Sequence, residues 1–316
     1  VNRHSWLAAL SLVPFLVLSL VLLQAPARAA GRAVRTNGLI AFSSNRAGNF
    51  DIYVVAPDGS GLKRLTTSPL QESDPAWSPD GSRIAFVRYA SCPLHLPACA
   101  LDLVSGNVVA GSGAVFVMNA DGSHVRQLTK NMPGVNEPTW SPDGARIAYS
   151  AGDLANSLYV MNADGSHVRR IASGMEPDWS PDGKSLLLLT GFAGDIGRVS
   201  VAGGRVSIKV RGFQDGAQDP AWSPDGTRFA YSLENGRYRY VLYTVGANGA
   251  GTKALVTGGD NLQPAWSPDG KSLVFSRGGE HGLAATLWTV QADGSGVKQL
   301  THKGPYEDSR PSWHGR

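Results

Sequence analysis

Six side chains stand at equivalent places in this sequence, two or three positions before a recurring tryptophan: Asp74, Glu137, Glu176, Asp219, Gln263 and Arg310. Four of them are carboxylates. Gathered around one axis, they would focus negative potential and attract a cation, a basic side chain of a partner, or water. Gln263 and Arg310 interrupt the set, so the field of such a ring would be uneven. The plainer reading places each residue in a solvated loop leading into a strand, which is where loop carboxylates ordinarily sit.

Other candidates carry less. Cys92 and Cys99 lie seven apart in a Pro- and Leu-rich stretch, and in an exported chain such a pair reads first as a small disulfide-closed loop. A metal site would want further Cys or His at ligand spacing, and only His95 is near; two reduced, buried thiols are the third reading. His124 and His167 occupy the same place in two D-G-S-H-V turns, and equivalent turns of separate repeats are too far apart to share a metal. No G-x-S-x-G or H-E-x-x-H occurs. Gly183-Lys184-Ser185 and Gly270-Lys271-Ser272 mimic the end of a phosphate loop, but Asp178 and Ala265 stand where its first glycine is required. No cofactor is expected, with room left for a divalent cation among the six convergent residues. An enzyme, for example a polysaccharide lyase or hydrolase, is the alternative to a binding function, and it would need a metal or a paired acid and base at that site.

What could bring the six together is a repeat. W-S-P-D-G occurs at Trp77–Gly81, Trp140–Gly144, Trp179–Gly183, Trp222–Gly226 and Trp266–Gly270, and a degraded copy sits at Trp313. The tryptophans are spaced by 63, 39, 43, 44 and 47 residues. All but the first interval match a four-stranded propeller blade, and the first carries an insertion of about twenty residues, near 88–113. Ser-Pro-Asp-Gly reads as a tight hairpin turn, with proline presetting φ and glycine taking the left-handed position. Short apolar strands follow, such as Ile84–Val87, Ile147–Ser150 and Phe229–Ser232, then third strands ending in Asp-Gly, Asn-Gly or Gly-Gly turns. Fourth strands such as Lys63–Thr66 and Lys298–Thr301 are short and basic, as suits an outer edge. The 38 glycines and 19 prolines of the 316 residues fit this turn-rich plan.

Counting gives the closure. The second, third and fourth strands occur six times from Leu39, while the tryptophan strand occurs six times from Trp77. The last of these, at Trp313, must therefore pair with the N-terminal blade. The expected fold is all-β, a six-bladed β-propeller over 38–316 with four-stranded blades, its ring closed by the C-terminal strand. The tryptophans then pack between blades, and the aspartates of W-S-P-D-G are turn residues and not calcium ligands.

The units P-x-W-S-P-D-G, an I-A-F strand, I-Y-V-x-x-x-D-G and R-x-L-T resemble the repeats of the TolB family, also found in the propellers of tricorn-type and prolyl-oligopeptidase-type peptidases. The resemblance runs from Gly38 to Arg316. It implies a periplasmic adaptor whose propeller face and central channel engage a peptidoglycan-associated lipoprotein. TolB carries an α/β domain ahead of its propeller, whereas about eight residues separate the expected cleavage site from the first strand here.

Residues 1–30 read as a secretory signal peptide: Arg3 and His4, an apolar run from Trp6 to Leu23, and Ala27-Arg28-Ala29 for cleavage. The alternative is an uncleaved membrane anchor, which would be the chain's only contact with a membrane. Cleavage removes Arg3 and Arg28, so the 29 basic residues become 27 against 25 acidic ones. No run of five or six like charges occurs, which argues against nucleic acid and against a polybasic membrane patch. The expectation is an exported protein, periplasmic or at the cell surface, that binds a protein, peptide or cell-envelope component. Its recognition elements would be the channel mouth and the 88–113 insertion, since long loops on rigid scaffolds commonly carry binding.

Overall fold

The W-S-P-D-G turns have one geometry throughout the computed structural model, which describes residues 37–90, 112–152, 156–191, 194–212, 216–235, 239–278, 285–302 and 304–315. In each turn the serine hydroxyl donates to the aspartate at 2.5–2.6 Å. The same aspartate accepts the N–H two residues on at 3.0–3.1 Å. The glycines sit at φ +66 to +72°, where a side chain is strained. The serine hydroxyls hold Asp143 and Asp182 below the usual carboxylate range, and Asp80 is drawn down to about 2 chiefly by the Ser78 hydroxyl and the Ser82 N–H. They are turn residues, as their place in the repeat implies.

Between the turns the described residues form 25 strands in six antiparallel sheets. Blade 1 contains β1 (Asn37–Ser44), β2 (Asp51–Val55) and β3 (Lys63–Arg64). Blade 2 contains β4 (Glu72–Trp77), β5 (Arg83–Tyr89), β6 (Ser112–Asn119) and β7 (Arg126–Gln127), with β8 (Met132–Pro133) also paired to β6. Blade 3 runs β9 (Asn136–Trp140), β10 (Arg146–Ala151), β11 (Ser157–Asn162) and β12 (Arg169–Ser173). Blade 4 runs β13 (Met175–Trp179), β14 (Ser185–Thr190), β15 (Asp195–Ser200) and β16 (Ser207–Val210). Blade 5 has β17 (Ala217–Trp222), β18 (Arg228–Glu234), β19 (Tyr240–Gly246) and β20 (Lys253–Val256). Blade 6 has β21 (Asp260–Trp266), β22 (Ser272–Gly278), β23 (Thr286–Gln291) and β24 (Lys298–Gln299). The last strand, β25 (Asp308–Gly315), pairs with β1 through Ile40 opposite Trp313 and Ser44 opposite Asp308. This is the six-bladed propeller, closed as the strand count requires. No helix occurs among the described residues, and so none there is long and apolar enough to cross a membrane. Cys92, Cys99 and most of the insertion lie outside the described residues, as do residues 1–36.

Each apolar cluster spans two neighbouring blades. Ala85 and Val87 of blade 2 pack with Trp140, Ile147 and Tyr149 of blade 3, for example. Trp77, Trp140, Trp179, Trp222 and Trp266 are all buried. An arginine from the preceding blade lies over most of these rings: Arg83 over Trp140 at 4.6 Å, Arg146 over Trp179 at 4.9 Å and Arg228 over Trp266 at 4.8 Å. Such contacts contribute roughly 0.5–2 kcal/mol each. At the periphery, the Asp-Gly turns pack against the preceding blade. A Cβ on Gly122 would come within 2.6 Å of the Leu65 carbonyl oxygen, at a φ of +93°, so both space and backbone demand glycine.

Blade 4 departs from its neighbours at Gly197, which faces Leu188 where Tyr159 faces Tyr149 and Tyr243 faces Tyr231. Val206 fills the vacated space, its Cγ1 lying 2.3 Å from where a Cβ on Gly197 would be. Arg198 takes the place of the missing arginine on β14 and covers Trp222 at 5.4 Å. The blade is repacked around a smaller residue and keeps its four strands.

Candidate functional site

All six residues singled out by the repeat lie three positions before their tryptophan, each directly before a proline. Proline has no N–H to give to the strand ladder, and the inner strand slips there: the register shifts between Ser73 and Ala76, Met175 and Asp178, Gln218 and Ala221, and Leu262 and Ala265. At this bulge Asp74, Glu137, Glu176, Asp219, Gln263 and Arg310 all adopt φ between +52 and +57°. For residues other than glycine such a backbone costs on the order of 1–3 kcal/mol and persists only where surrounding structure imposes it. The result is that six side chains leave the sheet plane and converge on the axis.

Hydrogen bonds running from blade to blade hold the strained backbones. The Glu137 N–H donates to Asp74 Oδ2 at 3.4 Å, the Asp219 N–H to Glu176 Oε2 at 2.5 Å, and the Gln263 N–H to Asp219 Oδ2 at 3.0 Å. The Arg310 N–H donates to Gln263 Oε1 at 2.8 Å. Arg310 itself, on the closing strand β25, reaches across the axis. Its Nη1 is 2.6 Å from Glu137 Oε1 and 3.9 Å from Asp219 Oδ1, and its Nε is 3.2 Å from Asp74 Oδ1. One guanidinium thus ties blade 1 to blades 2, 3 and 5.

The six line a cavity of about 360 Å³ that extends to the prolines of the W-S-P-D-G turns, Pro79, Pro224 and Pro268. No residue earlier in the inner strands lines it. The six form the inner end of this lining, as its floor, and the turns its outer end. The insertion belongs to the other end of the blade. It leaves after β5 and returns at β6, where the Ala90 N–H donates to the Ser112 carbonyl at 2.7 Å, opposite the turn that joins β4 to β5.

Burial governs the protonation of this floor. It pushes Glu137 up to about 7 against the pull of Arg310. Glu176 rises well above the usual carboxylate range, through burial and then the neighbouring charges of Asp219 and Glu137. Asp219 is raised by burial, with Arg310 opposing. Burial also works against the charge of Arg310, but Asp74, Glu137, Asp219 and Glu176 overcome it and hold the guanidinium protonated. Among the described residues no three His, Cys, Asp or Glu side chains are arranged to hold a metal ion.

Sequence reasoning passed over one residue of the floor. Asp178, just before Trp179, lines the cavity and accepts the Trp222 N–H at 2.6 Å. Burial raises it to about 7. Its signal was present: the matching residues are Ala76, Thr139, Ala221, Ala265 and Ser312, so an acid there breaks the repeat. Two buried pairs were also passed over, Arg88 with Glu72 and Arg46 with Asp308, each at 2.6 Å. Arg88 lies 4.5 Å from the Phe116 ring centre and Arg46 lies 4.5 Å from that of Tyr306, so both pairs brace blade interiors. His124 and His167 are exposed, each beside an asparagine of its own turn, Asn119 or Asn162.

Six closed blades with charged side chains gathered at the axis define a β-propeller with a polar central cavity. The family model described as the TolB beta propeller domain matches residues 89–257 and 175–316, and the chain belongs to that family. An uncharacterized protein of Agrobacterium fabrum is 34% identical over 113 residues, covering 35% of each chain. A TolB homolog of Chlorobium luteolum is 31% identical over 140 residues, covering 37% of this chain and 32% of its own length. The chain therefore matches about a third of the length of these curated relatives. Among solved structures, TolB from Acinetobacter baumannii superposes with a TM-score of 0.69 at 22% identity, covering 87% of this chain and 66% of that one. At that identity the likeness shows the fold.

Proposed function

We propose that this propeller is an exported binding scaffold of the cell envelope, non-enzymatic, which receives a protein or peptide at the turn-side mouth of its central cavity. The observation that carries this reading is the convergence of Asp74, Glu137, Glu176, Asp219, Gln263 and Arg310 on one cavity floor, on strands tied to one another by hydrogen bonds and ion pairs. A concave site with a few placed polar groups on a rigid frame is the usual form of a binding site. Relatives named TolB support an envelope role, and the apolar segment from Trp6 to Leu23 supports export.

The test is capture from an envelope extract by the purified propeller, comparing wild type with Glu137→Gln/Glu176→Gln and with the 88–113 insertion shortened. A partner held by wild type and by the shortened form, and lost from the double variant, places recognition in the cavity. Turnover of envelope glycans or peptides by the wild type, with no partner captured, would replace the scaffold reading by an enzymatic one.

A further inference from the structure

The outer strands repeat one residue type with a single exception. Lys63, Arg126, Arg169, Lys253 and Lys298 hold the same register against the third strand of their blades, and Ser207 holds it on blade 4. Four of the basic side chains clasp the next blade at the rim. Lys63 donates to the Asp121 carbonyl at 3.5 Å, Arg126 to that of Asp164 at 3.1 Å, Arg169 to those of Val201 and Ala202 at 2.6 and 3.2 Å, and Lys253 to that of Asp293 at 2.9 Å. Among the described residues no side chain of β16 donates to blade 5.

A second, independent feature marks the same seam at the axis. Two backbone N–H groups of β17 tie blade 5 to blade 4 there, that of Asp219 donating to Glu176 Oε2 at 2.5 Å and that of Trp222 to Asp178 Oδ2 at 2.6 Å. Both acceptors are carboxyls of β13. Glu176 faces Asp219 of β17 and Glu137 of β9, with Arg310 of β25 opposing them, while Asp178 faces only the backbone N–H groups of Trp222 and Trp179. The guanidinium of Arg310 is in contact with Asp74, Glu137 and Asp219, at 2.6–3.9 Å. Among the described residues no cation is in contact with Glu176 or Asp178, so ionising them in the closed seam leaves buried charge uncompensated.

We infer that the ring opens at the seam between blades 4 and 5 before any other, and that rising pH promotes the opening by ionising Glu176 and Asp178. A carboxyl that holds its proton more tightly in the closed seam than in water stabilises the closed seam at low pH, and that contribution is lost as pH rises through the closed-state value, about 7 for Asp178, where burial is the main cause. Water entering the open seam solvates both carboxylates. Between rim and axis the apolar cluster of Leu187, Ile196, Trp222 and Phe229 still joins the two blades, so the seam yields at its ends and is held in the middle. Glu176 and Asp178 line the cavity on one side of the seam and Asp219 on the other; opening therefore enlarges the cavity, whatever the cavity receives.

The test is amide hydrogen exchange of the whole protein, read by mass spectrometry from about pH 5 to about pH 8 and corrected for the intrinsic chemical rate. Protection of β17, whose Asp219 and Trp222 amides cross the seam, is expected to fall about tenfold over that range, and that of β9 and β21 by less than about threefold. Glu176→Gln/Asp178→Asn, which cannot ionise, should keep β17 protection constant with pH. Ser207→Lys, which supplies the rim clasp and leaves the cavity untouched, should slow β17 exchange several-fold at about pH 8. Thermal melts check that both variants fold, and the wild-type map alone decides if they do not. Equal pH dependence at β9, β17 and β21, earlier loss of protection where β25 closes on β1, or full pH dependence in the folded double variant overturns the inference.

Discussion

Arg310 and Glu137 are 173 residues apart in sequence, and Nη1 of one lies 2.6 Å from Oε1 of the other. The pair joins the strand that closes the ring to the inner strand of blade 3, so charge and topology are fixed by the same contact. Removing one partner of such a pair leaves buried charge uncompensated, at about 3–5 kcal/mol. Arg310→Met should therefore lower the unfolding free energy by about that much, and Arg310→Gln/Glu137→Gln should recover part of it. Urea denaturation of the three proteins decides this.

Stability should peak in mildly acidic solution. Glu137 and Asp178 sit at about 7 in the fold, above their ordinary 4.5 and 3.8, so the folded state binds the extra protons. Between those limits stability falls as pH rises, and the loss is complete once pH has passed about 7. Asp80 acts in the other sense: lowered to about 2, it adds stability above its ordinary 3.8 that is lost as pH falls toward 2. Melting temperatures from pH 3 to 9 should be highest at about pH 4, and Asp178→Ala should flatten the alkaline side.

Two glycines separate crowding from backbone strain. Gly122→Ala would place a Cβ 2.6 Å from the Leu65 carbonyl, whereas nothing lies within 4 Å of the same atom at Gly61, where φ is +66°. The first substitution should cost roughly 2–4 kcal/mol and the second about 1 kcal/mol, read from paired thermal melts.

The tryptophans should not respond alike. Trp266→Phe loses a hydrogen bond to the Ala221 carbonyl at 3.0 Å, worth about 1 kcal/mol net. Trp222→Phe loses no such bond and should be the milder change by about that amount. Equal losses in chemical denaturation would mean that the Trp222 indole N–H has a partner after all.

The sequence made the architecture readable because a propeller repeats its chemistry. Five copies of W-S-P-D-G fixed the phase, and the surplus tryptophan strand at Trp313 required closure onto β1. The convergence of the six residues was readable from the same phase. The left-handed backbone at each of them was not: it comes with the bulge at the following proline, which a strand count does not register. Asp178 escaped notice because attention fell on what recurs, and it is an exception within the recurrence. The span of Arg310 across three blades depends on side-chain reach after closure, which spacing alone does not give.

The cavity-mouth claim is tested most directly by photocrosslinking in an envelope extract, with a benzoylphenylalanine placed in turn at three exposed positions. Ser82 and Lys271 follow W-S-P-D-G turns at the cavity end of the ring, while Ser173 ends β12 at the opposite end. The partner should crosslink from Ser82 and Lys271, with the Glu137→Gln/Glu176→Gln background abolishing both. A partner that crosslinks from Ser173 and from neither turn would contradict the account.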